Sequence, residues 1–441
     1  MSAPNLEQTL FDLEGIEDSK EYLIEAIEFA GSVPLGGSDP GAITKVGVLG
    51  AGSMGRGIAL AFAQTGRGVD IVDPAATALA SAEKHIANLI ERSRSRQKLT
   101  DKEAIALRDR ISFSSELAAF AGADIVVEAV PEIMSLKQKV MSDLEGICQP
   151  NTILATNTST LDVDEIARDL KDPARFIGTH FFIPAQVNRL LEVIPAKASS
   201  PATLSTTMNL ALSIKKNAVI AANGDGFIGN RLFDRFHQEA MYLVEEGAWP
   251  DEVDDALEKW GMAIGPFRAL DLVGNDIPWG VRKQRAERPV PPHQPRIGDA
   301  LCEANLFGQK TGKGWYLYDA ATPKGRAHEE ARALIIRTSR ELGKRRRSVL
   351  APEIVGRCIL SLILEGMKML EEQRAERASD IDMVFTTGYG FPRAMAGPMR
   401  LGQELGASNV AQLARHYGQI STKSDTVWTL PASLEKGRAK L

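Results

Sequence analysis

KVGVLGAGSMGRGIA, residues 45–59, is the stretch that decides the fold. The apolar run KVGVL ends on a glycine and gives way to SMGRGIALAFAQTG, whose apolar residues recur at helical spacing. Such a run predicts a buried strand of a parallel sheet. Gly50, Gly52 and Gly55 fit GxGxxG at the turn between that strand and the helix. The pattern alone is common, and its place between strand and helix gives it meaning. There the backbone at Ser53 and Met54 can approach a pyrophosphate held by the helix N-terminus.

Outward from this turn, VDIVD (69–73) reads as a second strand ending on Asp73, 23 residues after Gly50. A carboxylate at that distance binds ribose hydroxyls. It would also repel a 2′-phosphate, Pro74-Ala75-Ala76 offers no arginine, and Arg67 lies before the strand, so NAD is expected rather than NADP. The plainer alternative is a tight strand–helix turn with a strand-end aspartate. ADIVVEAV (123–130) and TILATNTS (152–159) give two further strands, each bounded by helical segments. Alternating strands and helices imply an α/β fold with a doubly wound parallel sheet.

Bulk properties narrow the function classes. The 441 residues suffice for two or three domains, and 44% hydrophobic with 25% charged residues is the composition of a globular protein. A net charge of −5 argues against nucleic acid as a partner. No apolar run is long enough to span a bilayer, so no membrane partner is expected. Cys148, Cys302 and Cys358 make neither a disulfide framework nor a CxxC metal site, and no metal is expected. The chain ends Ala439-Lys440-Leu441, a variant of a peroxisomal address, while its Ala- and Arg-rich composition suggests a bacterial cytoplasm.

Residues 1–40 read as one or two amphipathic helices followed by a Gly/Pro-rich connector, SVPLGGSDPG (32–41). The strand-bearing region follows over 41–221. Beyond it the chain reads as helical, in two parts, 222–320 and 321–441, interrupted by the proline-rich RPVPPHQPR (288–296). A faint repeat links 245–267 with 371–393: paired glutamates, an acidic step at Asp254 or Asp382, then a Gly-Pro-Phe or Gly-Phe-Pro turn. Lys344-Arg345-Arg346-Arg347 is expected to be a solvated helix end rather than a nucleic-acid patch.

GTHFFIPAQVNRLLEVIP (178–195) holds a second signal. Glu192 stands among Leu190, Leu191, Val193 and Ile194, where a charge is costly without a partner. His180 lies twelve residues earlier. A histidine suits proton abstraction near neutral pH, and a carboxylate on its second ring nitrogen fixes the tautomer. The plain alternative is a hydrogen-bonded core histidine.

GAGSMGRGIA, VVEAVPE, TNTSTLDVDEIA, GTHFFIPAQVNRLLEVIP, DGFIGNRL and MAIGPFRALDLVG occur in this order. On these motifs the chain resembles, over roughly residues 43–400, the L-3-hydroxyacyl-CoA dehydrogenases of fatty-acid β-oxidation, and among them the dehydrogenase half of the peroxisomal bifunctional enzymes. The resemblance implies a Rossmann-type doubly wound sheet followed by two tandem all-α domains of the 6-phosphogluconate-dehydrogenase-like C-terminal type. It implies NAD as cofactor, an acyl-CoA substrate and oxidation of (S)-3-hydroxyacyl-CoA to 3-ketoacyl-CoA. His180 matches the family's base and Glu192 its orienting carboxylate. Ser159 and Asn230 match the contacts to the substrate's 3-oxygen, although a turn hydroxyl and a helix-start residue are the plainer readings. Glu132, Lys137 and Asn157 fall at further cofactor contacts. Arg92, Arg94, Arg96 and Lys98 could attract the CoA phosphates or form a solvated helix face. Shorter relatives pair through the helical domain, so an internal copy of it implies a monomer.

Ile183 departs from the family, which usually has asparagine or serine there. Isoleucine donates no hydrogen bond, and retuning for an unusual acyl group is the expectation. A dehydrogenase of a non-CoA 3-hydroxy acid, or a catalytically weak NAD-binding protein, are the alternatives.

Overall fold

The computed structural model describes residues 2–31, 43–287, 294–421 and 428–435. The connector at 32–41, the core of the proline-rich stretch (288–293) and the terminal Ala439-Lys440-Leu441 lie outside them. Contacts divide the chain into two compact units: Ile24–Asn230 with Gln373–Gly388, and Met1–Leu23 with Arg231–Glu372 and Tyr389–Leu441.

The first unit is built on one eight-stranded sheet. Its strands are β1 (Lys45–Leu49), β2 (Gly68–Val72), β3 (Ile111–Ser114), β4 (Ile125–Glu128), β5 (Ile153–Thr156), β6 (Phe176–Phe181), β7 (Leu190–Pro195) and β8 (Asn217–Ile220). They lie in the order β3-β2-β1-β4-β5-β6-β7-β8. All neighbours pair parallel except β6 and β7, which are antiparallel. The strand order reverses direction at β1, the switch point at which such sheets bind nucleotides. The four strands expected from apolar runs are β1, β2, β4 and β5. The other four were not legible as strands, although β6 and β7 carry the histidine and the carboxylate of the second signal.

The turn after β1 explains its glycines. Gly50 has φ +106°, and a Cβ there would stand 2.6 Å from the Ala129 carbonyl oxygen. A Cβ on Gly55 would lie 1.8 Å from the Gly50 oxygen, so the helix Ser53–Ala63 can pack against the turn only without one. Gly52 differs: nothing lies within 4 Å of a Cβ built on it.

The helix Ala378–Gly388, far along the chain, also belongs to this unit. A Cβ on Gly388 would lie 2.4 Å from the Leu190 side chain of β7. Just before that helix, Arg374 accepts from the Ala222 N–H at 3.1 Å, and its guanidinium donates to the Asn223 carbonyl. The segment following β8 is thereby clamped from 150 residues away.

The second unit is mainly helical, with a two-stranded antiparallel hairpin, Tyr316–Asp319 and Thr322–Ala327, that the apolar pattern did not predict. The helix Ala3–Phe11 is an integral part of it: Leu6 and Leu10 are buried, and Trp260 Nε1 donates to the Leu10 carbonyl at 3.0 Å. Packing therefore divides the chain elsewhere than at 40/41, 221/222 and 320/321. The repeated turns meet each other: the Ala263 N–H donates to the Gly390 carbonyl at 2.9 Å, and the Trp260 and Phe391 rings lie 5.6 Å apart. The basic tetrad is not simply solvated. Lys344 pairs with buried Glu245 at 2.6 Å, and Arg346 donates to the carbonyls of Val244 and Gly247, which end the helix Gly229–Glu246. Cations at a helix C-terminus complement its exposed carbonyls. No described helix is long and apolar enough to cross a membrane.

The turn predicts a contrast between two glycines. Gly55→Ala should cost at least ~3 kcal/mol in denaturant unfolding, because backbone must move to admit the methyl. Gly52→Ala should leave the melting midpoint within a few degrees while weakening NAD binding in equilibrium titration. Equal effects of the two on stability would contradict this account.

Candidate active site

The antiparallel register sets His180 directly opposite Glu192. Both strands are buried along nearly their whole length, and the two side chains meet with His180 Nδ1 2.7 Å from Glu192 Oε2. Glu192 is 0% exposed. Its other oxygen, Oε1, accepts the N–H groups of Ile228 at 3.1 Å and Gly229 at 2.8 Å, where the helix Gly229–Glu246 begins. These amides, at the positive end of a helix, fix the carboxylate's orientation toward His180. An acceptor of that kind takes Nδ1–H from His180, which leaves Nε2 with the lone pair. No described residue bonds Nε2. Phe182 and Phe227 fix the ring plane, with centroids 4.3 and 5.8 Å from that of His180.

Asn230 follows Gly229 as the second residue of that helix, as the helix-start reading expects. Its Nδ2 stands 3.5 Å from the Ser159 carbonyl, which brings the two expected oxygen contacts together. Asn157 lies just beyond β5, and its Oδ1 accepts the Phe181 N–H at 2.9 Å, tying the turn that carries Ser159 to the strand that carries His180. His180, Glu192, Asn230, Ser159 and Asn157 therefore form one connected cluster.

Glu132 and Lys137 have partners within the protein. Glu132 Oε1 accepts from the hydroxyls of Thr158 (2.6 Å), Ser159 (3.3 Å) and Thr160 (3.2 Å) and from the N–H groups of Ser159 (2.8 Å) and Thr160 (3.0 Å). Burial raises the Glu132 pKa, but the Lys137 charge and these donors outweigh it and hold the group below the usual carboxylate value. Lys137 is 0% exposed and donates to Glu128 at 2.7 Å. Glu128 escaped the sequence reading. Its signal was available: a carboxylate inside Ile125-Val126-Val127-Glu128-Ala129-Val130, the same pattern that marked Glu192.

At the turn after β1, Asp73 holds the loop in place: Oδ2 accepts the Ala51 N–H at 2.9 Å and Oδ1 the Ala75 N–H at 2.9 Å. Helix Ser53–Ala63 has no side chain capping its first N–H groups. Open space at Gly52, uncapped amides at Ser53 and Met54 and the carboxylate of Asp73 together suit a dinucleotide phosphate and ribose. Arg67 is spent on the Ile43 carbonyl, Thr65 and Ser213, which leaves it unsuited to pair a 2′-phosphate. Of the basic residues on the helix Ala76–Ser95 and just after it, Arg94 is bound by Glu91 and Asp101, while Arg92, Arg96 and Lys98 are exposed.

Ile183 is 61% exposed, on the loop that follows His180, and Val187 on the same loop is 69% exposed. Lys216 donates to the loop carbonyls of Ala185 and Asn188, and burial pushes its pKa down to about 8. Among the described residues no group of three or more His, Cys, Asp or Glu side chains is placed to hold a metal.

Comparison with known proteins gives this arrangement a family. Residues 45–224 match the NAD-binding domain of 3-hydroxyacyl-CoA dehydrogenase, and residues 226–318 match its C-terminal domain. A peroxisomal bifunctional enzyme of Pongo abelii is 42% identical over 397 residues, 86% of this chain and 54% of the relative. The chain thus spans about half the length of the curated relatives it matches. Among solved structures, the (S)-3-hydroxybutyryl-CoA dehydrogenase of Ralstonia eutropha is 32% identical with a TM-score of 0.60, covering 63% of this chain and 100% of its own. The dehydrogenase part of multifunctional enzyme 1 from C. elegans is 28% identical with a TM-score of 0.67, covering 97% and 98%. The chain belongs to the 3-hydroxyacyl-CoA dehydrogenase family and binds NAD through its N-terminal domain.

Proposed function

We propose that this protein interconverts an (S)-3-hydroxyacyl-CoA and its 3-ketoacyl-CoA, with His180 as the base and Glu192 as its orienting carboxylate. The observation that carries the reading is the His180–Glu192 pair, 2.7 Å apart, whose second carboxylate oxygen is held by two backbone amides. Family membership supports the reaction class. NAD supplies the hydride acceptor when bound, with Gly50, Gly52, Ser53, Met54, Gly55 and Asp73 placed to hold it.

The chain's own residues then have separable tasks. His180 Nε2 takes the proton of the 3-hydroxyl, and Glu192 stabilises the imidazolium that results. Ser159 and Asn230 donate to the 3-oxygen as its charge changes. Glu132 and Asn157 hold the turn that presents Ser159. Exposed apolar side chains at Ile183 and Val187 put a non-polar surface on the loop beyond the base, which favours an apolar substituent on the acyl chain. The chain acts as a monomer in this reading. The mutual contact of the two repeated turns is what a two-fold interface between copies would otherwise supply, each turn touching its counterpart.

Turnover of acetoacetyl-CoA with NADH, followed at the nicotinamide absorbance, tests the reaction. No turnover with any short, long or aromatic 3-ketoacyl-CoA, alongside normal NAD binding, would sink it and favour the weak NAD-binding alternative. Thioesters turned over no better than free 3-hydroxy acids would favour the other. Glu192→Gln should lower kcat by ~10²–10⁴ without a matching loss of NAD affinity; an unchanged kcat is the contrary result. Ile183→Asn should shift preference toward shorter acyl chains, changing the kcat/KM ratio of long to short substrates by roughly 10-fold. An unaltered ratio would remove Ile183 from substrate choice. Light scattering should give the mass of one chain, and a stable dimer would overturn the monomer.

A further inference from the structure

Glu128 ends β4 with a carboxylate that has no exposure to solvent. Its Oε1 accepts from Lys137 Nζ and from the Val130 N–H, each at 2.7 Å, and its Oε2 accepts from the Thr156 hydroxyl at 2.6 Å. Lys137, equally buried, also faces Glu132 Oε2 at 3.4 Å. Among the described residues no other cation pairs with Glu128 or Glu132. Two carboxylates therefore share one ammonium, and the triad carries a surplus charge of −1. Glu128 and Lys137 are sealed from water, whereas the Glu132 side chain keeps 32% of its exposure, so the surplus charge lies at the solvent-facing end of the triad. The five donors on Glu132 Oε1 are dipoles and leave the net charge as it is.

We infer that the Glu128–Lys137–Glu132 triad sets the protein's preference between the two oxidation states of its cofactor, its surplus charge favouring the cationic oxidised nicotinamide over the neutral reduced one. This rests on the dehydrogenase reading, which requires the nicotinamide beside the carbon whose oxygen Ser159 contacts; Ser159 Oγ is 3.3 Å from Glu132. A unit charge at roughly 10 Å, with an effective dielectric near 20, changes a binding constant by a factor on the order of 10. Glu128, without exposure of its own, acts through Lys137 and is a positioning residue in electrostatic terms.

The test is equilibrium titration of the full chain with NAD⁺ and, separately, with NADH, in the absence of any thioester. The quantity read is Kd(NADH)/Kd(NAD⁺). Glu128→Gln, which removes the charge and keeps the shape, should lower this ratio by a factor on the order of 10. Lys137→Gln, which removes the cation, should raise it by a similar factor and carries the test should Glu128→Gln fail to fold. Thr156→Val, which removes a hydrogen bond to Glu128 without altering charge, should leave the ratio at the parent value. Equal loss of both affinities in Glu128→Gln, an unmoved ratio in Lys137→Gln, or a shift in Thr156→Val matching that of Glu128→Gln would overturn the inference. Because no acyl substrate enters the titration, its failure is distinct from a failure of turnover.

Discussion

A single buried carboxylate constrains much of the dinucleotide-binding unit. Glu192 has no access to water, and leaving it unpaired would cost several kcal/mol. Its three donors come from two places: His180 on β6, and the adjacent amides of Ile228 and Gly229 at the start of a helix. Satisfying them requires β7 to run antiparallel to β6 in the register that sets 192 against 180, since a slip of one residue would turn Glu192 to the other face. It also requires the chain leaving β8 to pass back over that position. The clamp of Arg374 on Ala222 and Asn223 lies on this returning segment, so a residue in the C-terminal half helps to fix the backbone that anchors the carboxylate.

The polar residues gathered around the ends of the interior strands β4, β5 and β6 form two linked groups. One is the His180–Glu192 pair with Asn230. The other is the Glu128–Lys137–Glu132 triad, which holds the Thr158–Thr160 turn. Asn157 and Ser159 join them, through Phe181 on one side and Asn230 on the other. In the proposed chemistry one group moves the proton and the other presents Ser159 and sets the local charge. The glycine turn provides a third element, with Gly50 and Gly55 fixed by steric contact and Gly52 left open for a ligand.

What the sequence made legible follows from physical cost. Gly50 and Gly55 stand where any side chain would collide with backbone, and Glu192 stood out because a charge in an apolar run needs a partner. The same argument applies to Glu128, whose carboxylate ends the apolar run of β4 and is buried against Lys137. β6 was hidden because its polar Thr179 and His180 interrupt the apolar signal. The membership of Ala3–Phe11 and Ala378–Gly388 in their units depends on contacts hundreds of residues apart, which local pattern does not encode. Lys344 and Arg346 read as solvated because their acceptors, Glu245 and the carbonyls of Val244 and Gly247 on either side of it, lie about a hundred residues upstream.

The central claim is that Glu192 fixes His180 with its proton on Nδ1 and a free lone pair on Nε2. Nitrogen-15 NMR of the imidazole, with His180 assigned by comparison with a His180→Gln variant, reads the tautomer directly. The account predicts a protonated Nδ1 and an unprotonated Nε2 in the neutral ring, with the Nδ1 proton shifted downfield by its hydrogen bond to the carboxylate. A neutral ring protonated on Nε2 would contradict it.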